Sequence, residues 1–271
     1  MTRTSHAAVA VCTLALASFA AFPAAAQTGF EGVITYLDHN KGSDKATTMV
    51  QTTKGHKAKF EGMGGEKDAV VIFDGDAHSM IMVEPEKKQY ITVTQADMDQ
   101  MAAMMKPMQD RMKAEGKGPK DKSDFKMDVT KTGKYETVAG TKCEIWHGTT
   151  VEDDGTKREG EACVAQGVGF AFFDIMMNNP MTRQMRGSVQ AQIAKYKELL
   201  SGGKGILKLT SIEDGKPFVQ MEATKIDRRS VSDAEFQPPA GYTGTSLGAM
   251  MQQSAQQMKA LQQQKQGQGK P

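Results

Sequence analysis

The chain has 271 residues, with 34 Lys and Arg against 32 Asp and Glu, for a formal net charge of +2. That balance excludes a nucleic-acid-coating protein with a strongly basic face, and 39% hydrophobic residues exclude an acidic, solvating, disordered chain. The residue in excess is methionine: 20 Met stand against 17 aromatics, so a long, flexible, polarisable side chain is favoured somewhere in the molecule.

Residues 1–26 read as a secretory signal peptide. Arg3 and His6 form a short positive start, Ala7 to Ala21 an apolar run, and Ala24-Ala25-Ala26 the small residues of a cleavage site before Gln27. The run is too short to span a bilayer with margin. Cys12 lies inside it, without the Leu-small-small triplet of a lipoprotein anchor. The expected mature chain, Gln27 to Pro271, contains no later run of 18 apolar residues. Export as a soluble periplasmic or secreted protein is the expectation.

Short strands with period-two alternation come first: Phe30 to Leu37, Ala46 to Thr53, His56 to Phe60, Ala69 to Phe73, Ala77 to Val83 and Gln89 to Val93. Turn signals separate them, among them Lys54-Gly55, Asp74-Gly75-Asp76 and Glu84-Pro85-Glu86-Lys87. A meandering antiparallel sheet follows from that spacing. From Gln95 to about Lys113 the period changes, with Met98, Met101, Met105, Met108 and Met112 at spacings of 3, 4, 3 and 4. That is one stripe of an amphipathic helix, which Pro107 is expected to kink or split. A polar linker, Gly116 to Ser123, leads to a strand at Phe125 to Val129 and on to a hairpin.

Cys143 and Cys163 flank Glu152-Asp153-Asp154-Gly155-Thr156, a turn signal that contains their midpoint. They are expected to face each other across paired strands and, in an oxidising compartment, to form a disulfide. A second helical stretch, about Phe170 to Leu200, is broken near Asn178-Asn179-Pro180 and carries Met176, Met177, Met181 and Met185. A final hairpin joins Gly205–Ile212 to Phe218–Ile226 through Glu213-Asp214-Gly215-Lys216. The organisation expected is one α+β domain over 27–243, a curved antiparallel sheet covered by inserted Met-rich helices. Residues 244–271 are a Gln- and Met-rich tail, disordered or marginally helical.

No catalytic constellation survives inspection. Gly244-Thr245-Ser246-Leu247-Gly248 matches the G-x-S-x-G nucleophile elbow, but no strand is expected before it and the last histidine, His147, lies far upstream. Asp74-Gly75-Asp76-Ala77-His78 reads as a turn rather than a metal cluster, and the five histidines are scattered with no i, i+4 pair. The Gly62–Gly65 and Gly202–Gly205 runs lack the Lys-Ser/Thr and helix of a phosphate cradle. No enzyme activity, resident cofactor or nucleic-acid partner is expected.

Thirteen of the methionines fall in three helical stretches. Three explanations compete: gap-filling packing over the sheet, an adaptable apolar ligand site, and Cu(I) binding by the thioethers of Met98, Met101 and Met104.

Three segments carry a family resemblance: Phe30-Glu31-Gly32-Val33-Ile34-Thr35-Tyr36, the run Met80 to Tyr90, and Phe236-Gln237-Pro238-Pro239-Ala240-Gly241-Tyr242, together with the two cysteines. Over about residues 30 to 242 the chain resembles the exported bacterial proteins grouped as domain of unknown function 4412. More distantly it resembles the periplasmic lipoprotein carriers (LolA/LolB-like). The resemblance implies a half-barrel closed by helices around an apolar cavity that, in the carriers, holds acyl chains; it carries over no catalytic motif. The Met-rich helices depart from the Leu- and aromatic-rich lining of the carriers. The function expected is non-enzymatic binding of a lipid or lipoprotein acyl chain, with Met98, Met101, Met105, Met108, Met112, Met176 and Met177 over the concave face. A Cu(I)-binding periplasmic protein, or an envelope interaction module using the tail, is the alternative.

Overall fold

The computed structural model describes residues 30–39, 45–63, 69–115, 126–151, 155–169, 187–254 and 256–257. The signal segment, Met176 and Met177 lie outside these residues. Twelve strands form a single mixed, largely antiparallel sheet, so the architecture is mostly β with three helices.

In chain order the first strands are β1 (Gly32–Asp38), β2 (Thr47–Lys54), β3 (Lys57–Glu61), β4 (Val70–Asp74), β5 (Ser79–Glu84) and β6 (Gln89–Thr94). Helix α1 (Gln95–Ala114) follows. Next come β7 (Lys126–Val138), β8 (Thr141–Val151), β9 (Lys157–Gln166), α2 (Gly187–Leu200), β10 (Lys204–Glu213), β11 (Lys216–Arg228) and β12 (Thr243–Ser246). Residues 247–254 are helical and form α3. The expected strands through β6 match the observed ones to within two residues at each end. Pro107 does not divide α1, which runs through it as one element with good helix formers on either side.

The spatial order is β12-β6-β5-β4-β3-β2-β1-β11-β10-β9-β8-β7. The β7–β8 and β10–β11 pairs are tight hairpins whose turn residues suit them, whereas β9 and β10, also antiparallel neighbours, are joined through α2. Ala139 and Gly140 at φ 47° and 77°, and Asp214 and Gly215 at φ 50° and 72°, supply the two positive-φ residues that tight hairpins require. The central closure pairs β1 with β11, bringing Val33 opposite Asp227 across almost the whole chain.

A sheet of this width has two faces to cover, and β3 shows how alternation divides them. Ala58 and Phe60 pack with Phe73 on one face, the two rings edge to face with centroids 5.9 Å apart. On the other face Lys59 pairs with Ile72, which is buried with Val231 and Phe236. Those last two residues belong to the segment from β11 to β12. It must cross seven strand spacings, about 34 Å, and residues 229–242 extend to about 46 Å. Ion pairs hold it down, with Asp233 on Lys54 (3.2 Å) and Lys57 (3.7 Å) and Glu235 on Lys59 (2.9 Å). Beyond it β12 lies parallel to β6, with Gly244 opposite Tyr90, where a Cβ would run into the Tyr90 ring.

The disulfide forms between Cys143 and Cys163, with Cα atoms 5.3 Å apart. The ladder pairs Cys163 with Ile145, so the cysteines meet diagonally across β8 and β9 rather than directly opposite. Both are buried in the main core with Ile34, Tyr36, Val168 and Leu207. Among the described residues no helix is long and apolar enough to cross a membrane.

Cross-linking residues 20 positions apart removes unfolded-state freedom worth about 3 kcal/mol. Cys143→Ser with Cys163→Ser is therefore expected to lower the unfolding free energy by about that amount. Urea denaturation of wild type and double variant, each with and without reductant, checks it: reductant should move only the wild-type curve.

Candidate functional site

An apolar concavity lies under α2. On this helix Tyr196, Leu199 and Leu200, spaced i, i+3 and i+4, share one stripe. They roof a cavity of about 270 Å³ over β7 to β11, with Trp146, Val164, Ile206 and Leu209 among its walls. Part of its floor is bare backbone. Gly148 on β8 is paired directly with Gly160 on β9, and Ala162 follows two residues on along the same face. Thr150, Arg158, Thr210 and Ser211 add polar groups to its lining.

The roof is anchored at its C-terminal end. The Gly203 carbonyl accepts the Gly167 and Gly169 N–H groups at 2.8 and 2.9 Å, and the Gln166 side chain donates to the Gly202 carbonyl. Both glycines after the helix have positive φ, 72° and 78°, which ends α2 and turns the chain into β10. The Lys204 ammonium donates to the Leu199 carbonyl at 3.4 Å, close to the negative end of the helix dipole.

A second cavity of about 200 Å³ abuts the first and shares Leu200 and Ile206 with it. Tyr36, Met49, Phe60, Val168 and Met221 line it, with buried Gln51 bonded to Thr53 at 3.2 Å. The Tyr36 hydroxyl donates to the Ile206 carbonyl at 3.3 Å, and burial raises its phenol well above the ordinary tyrosine range.

Five of the methionines expected to line such a site lie on α1, and Met176 and Met177 lie outside the described residues. Met98 is buried at the start of α1, Met101 and Met112 are half-buried, and Met105 and Met108 are 41% and 55% exposed. None of the five lines either cavity; Met49, Met127 and Met221, all on strands, do. The Gly148–Gly160 pair and the Leu199/Leu200 roof were not singled out in the sequence. The signal for them was two glycines within strand runs at positions that the hairpin register makes opposite.

The G-x-S-x-G run does sit at a strand-to-helix junction, unlike the expectation. Its role there is capping: Ser246 Oγ accepts the Ala249 N–H at 3.0 Å, and Ser246 is not among the residues with positive φ. The preceding N–H in α3, that of Gly248, donates to Asp97 at 3.0 Å. Asp97 also accepts the N–H and hydroxyl of Thr94 at 2.8 and 2.7 Å, and its own N–H donates back to Thr94 Oγ1 at 3.2 Å. One buried carboxylate thereby completes the capping box of α1 and caps α3. Among the described residues, the group of possible metal ligands is Glu136 with Cys143 and Cys163, whose sulfurs are committed to the disulfide.

Comparison with known proteins now adds a family. Residues 30–242 match the model of the domain of unknown function DUF4412. The chain belongs to that family. No curated protein matches it. An uncharacterized conserved protein from Thermus thermophilus has a solved structure that is similar at 7% identity and a TM-score of 0.39, covering 81% of this chain and 92% of that one.

Hydrogen bonds from Thr94 and Gly248 hold the Asp97 carboxyl below its usual range, so its stabilisation is present above the unfolded-state value of about 4 and is lost as pH falls through the folded-state value. Asp97→Ala is expected to cost about 2 kcal/mol at neutral pH. Urea unfolding at a series of pH values should show that difference shrinking steadily below about pH 4. A difference constant down to about pH 2 would show that the charge plays no part.

Proposed function

We propose that this DUF4412 protein is an exported, non-enzymatic binding protein that takes a hydrophobic ligand, such as a lipid or a lipoprotein acyl chain, beneath α2. The observation that carries this reading is the apolar space between the Tyr196–Leu200 stripe and a floor of Gly148, Gly160 and Ala162. At about 270 Å³, with the adjoining cavity of about 200 Å³, it approaches the range of small-molecule sites. In this reading the sheet curls as a half-barrel around that face. The buried disulfide suits an oxidising compartment, in keeping with a signal peptide over residues 1–26.

A different observation favours a second reading. Met104, Met105 and Met108 are 54%, 41% and 55% exposed on α1, and i, i+4 pairs such as Met104–Met108 share a face. Thioethers displayed in this way suit Cu(I).

Organic extracts of gently purified protein, analysed by mass spectrometry, are expected to contain a co-purifying apolar molecule, and the protein should bind cis-parinaric acid saturably. Ala162→Trp fills the floor and is expected to weaken that binding at least about tenfold, with the urea midpoint retained. No extracted ligand and no saturable binding would end the lipid reading. Anaerobic Cu(I) titration decides the second: absence of binding tighter than micromolar, or binding indifferent to Met104→Leu with Met108→Leu, removes it.

A further inference from the structure

The same face carries a third concavity, of about 300 Å³, beyond Trp146. Trp146 and Val164 line both this space and the apolar cavity under α2, so the two meet at a shared wall. Its chemistry is the opposite. Lys131, Lys142 and Lys204 surround it, with Tyr135, Trp146, Glu144 and Gln166.

The backbone is arranged to gather these groups. On β8, Lys142, Glu144 and Trp146 alternate onto one face. On β7 a bulge separates Lys131, paired with Trp146, from Tyr135, paired with Glu144, so four steps on one strand oppose two on the other. Gly133 at φ 70° makes the detour, and the Thr132 hydroxyl closes it by donating to the Ile145 carbonyl at 2.7 Å. Without the two extra residues, Gly133 would stand opposite Glu144 in place of Tyr135.

The ammonium groups rest on rings rather than on carboxylates. Lys131 lies 5.3 Å and Lys204 5.7 Å from the Trp146 ring centroid, and Lys142 lies 4.4 Å from that of Tyr135. None of the three forms an ion pair with a described residue, whereas Lys54, Lys57 and Lys59 on β2 and β3 and Lys208 on β10 all do. The one carboxylate present, Glu144, accepts the Trp146 indole N–H at 3.0 Å. Three positive charges against one negative leave a net positive pocket beside an apolar one.

We infer that the ligand is an anionic amphiphile: a carboxylate or phosphate head held by Lys131, Lys142 and Lys204, with its tail passing Trp146 into the cavity under α2. This rests on the apolar site proposed above and names the class of molecule that fills it. Cation–π contacts hold the lysines extended without neutralising them, so they keep their charge for an anion.

The test compares cis-parinaric acid with its methyl ester, which share a tail and differ in head charge. Wild type is expected to bind the acid at least about tenfold more tightly than the ester, with a preference that fades as salt is raised. Lys131→Gln with Lys142→Gln should abolish the preference by weakening only the acid. This pair leaves Lys204, and with it the end of α2, intact. Equal binding of acid and ester in wild type, or a preference unmoved by the double variant, overturns the head-group assignment while leaving the apolar site standing. If neither probe binds, the apolar site itself falls and takes this inference with it. Displacement of the acid by micromolar inorganic phosphate would reveal a site for free anions and overturn the coupling of head to tail.

Discussion

A twelve-stranded open sheet leaves two faces and two edges that no hairpin can cover, and the rest of this molecule answers that constraint. On one face the return segment after β11 lays Val231 and Phe236 over Ile72 and is pinned by Asp233 and Glu235 to lysines of β2 and β3. It ends as β12, which occupies the β6 edge in parallel. On the other face α2 covers β7 to β11. Among the described residues the far edge, β7, pairs only with β8 and carries lysines and a bulge, both of which discourage pairing with another chain.

The cavity follows from how α2 meets its floor. A helix seated over ordinary strand residues buries its stripe against them and leaves no void. Here the strands present Gly148, Gly160 and Ala162 at the contact, while the glycine turn after α2 anchors the end of the helix to β9. The helix is held at a distance that its floor does not fill. The bulge in β7 acts one step further along the same face, turning Lys131 and Tyr135 together toward Trp146. A single aromatic residue then stands between an apolar and a cationic space.

Much of the architecture is local and was legible. Alternation and turn residues located β1 to β6, and Asp214-Gly215 located the last hairpin, because period-two patterning and positive φ are properties of adjacent residues. The methionine spacing identified α1 as a helix for the same reason. Where its stripe would pack was not legible. Met98 is buried beside the Asp97 cap, whereas Met105 and Met108, further along α1, are exposed. The run Gly244 to Gly248 read as a tail because its pairing partner, β6, lies about 150 residues earlier, and a parallel partner leaves no turn signal.

By itself, then, the sequence determined β1 to β6, the last hairpin, α1 as a helix and the disulfide pairing, since each is set by interactions between residues close in the chain or joined through one hairpin. The register decided the rest. That Gly148 faces Gly160, that Leu199 and Leu200 lie above them, and that three lysines converge on Trp146 are matters of which strands become neighbours. A cavity is an absence of side chains at the meeting of several elements, and no local pattern records it.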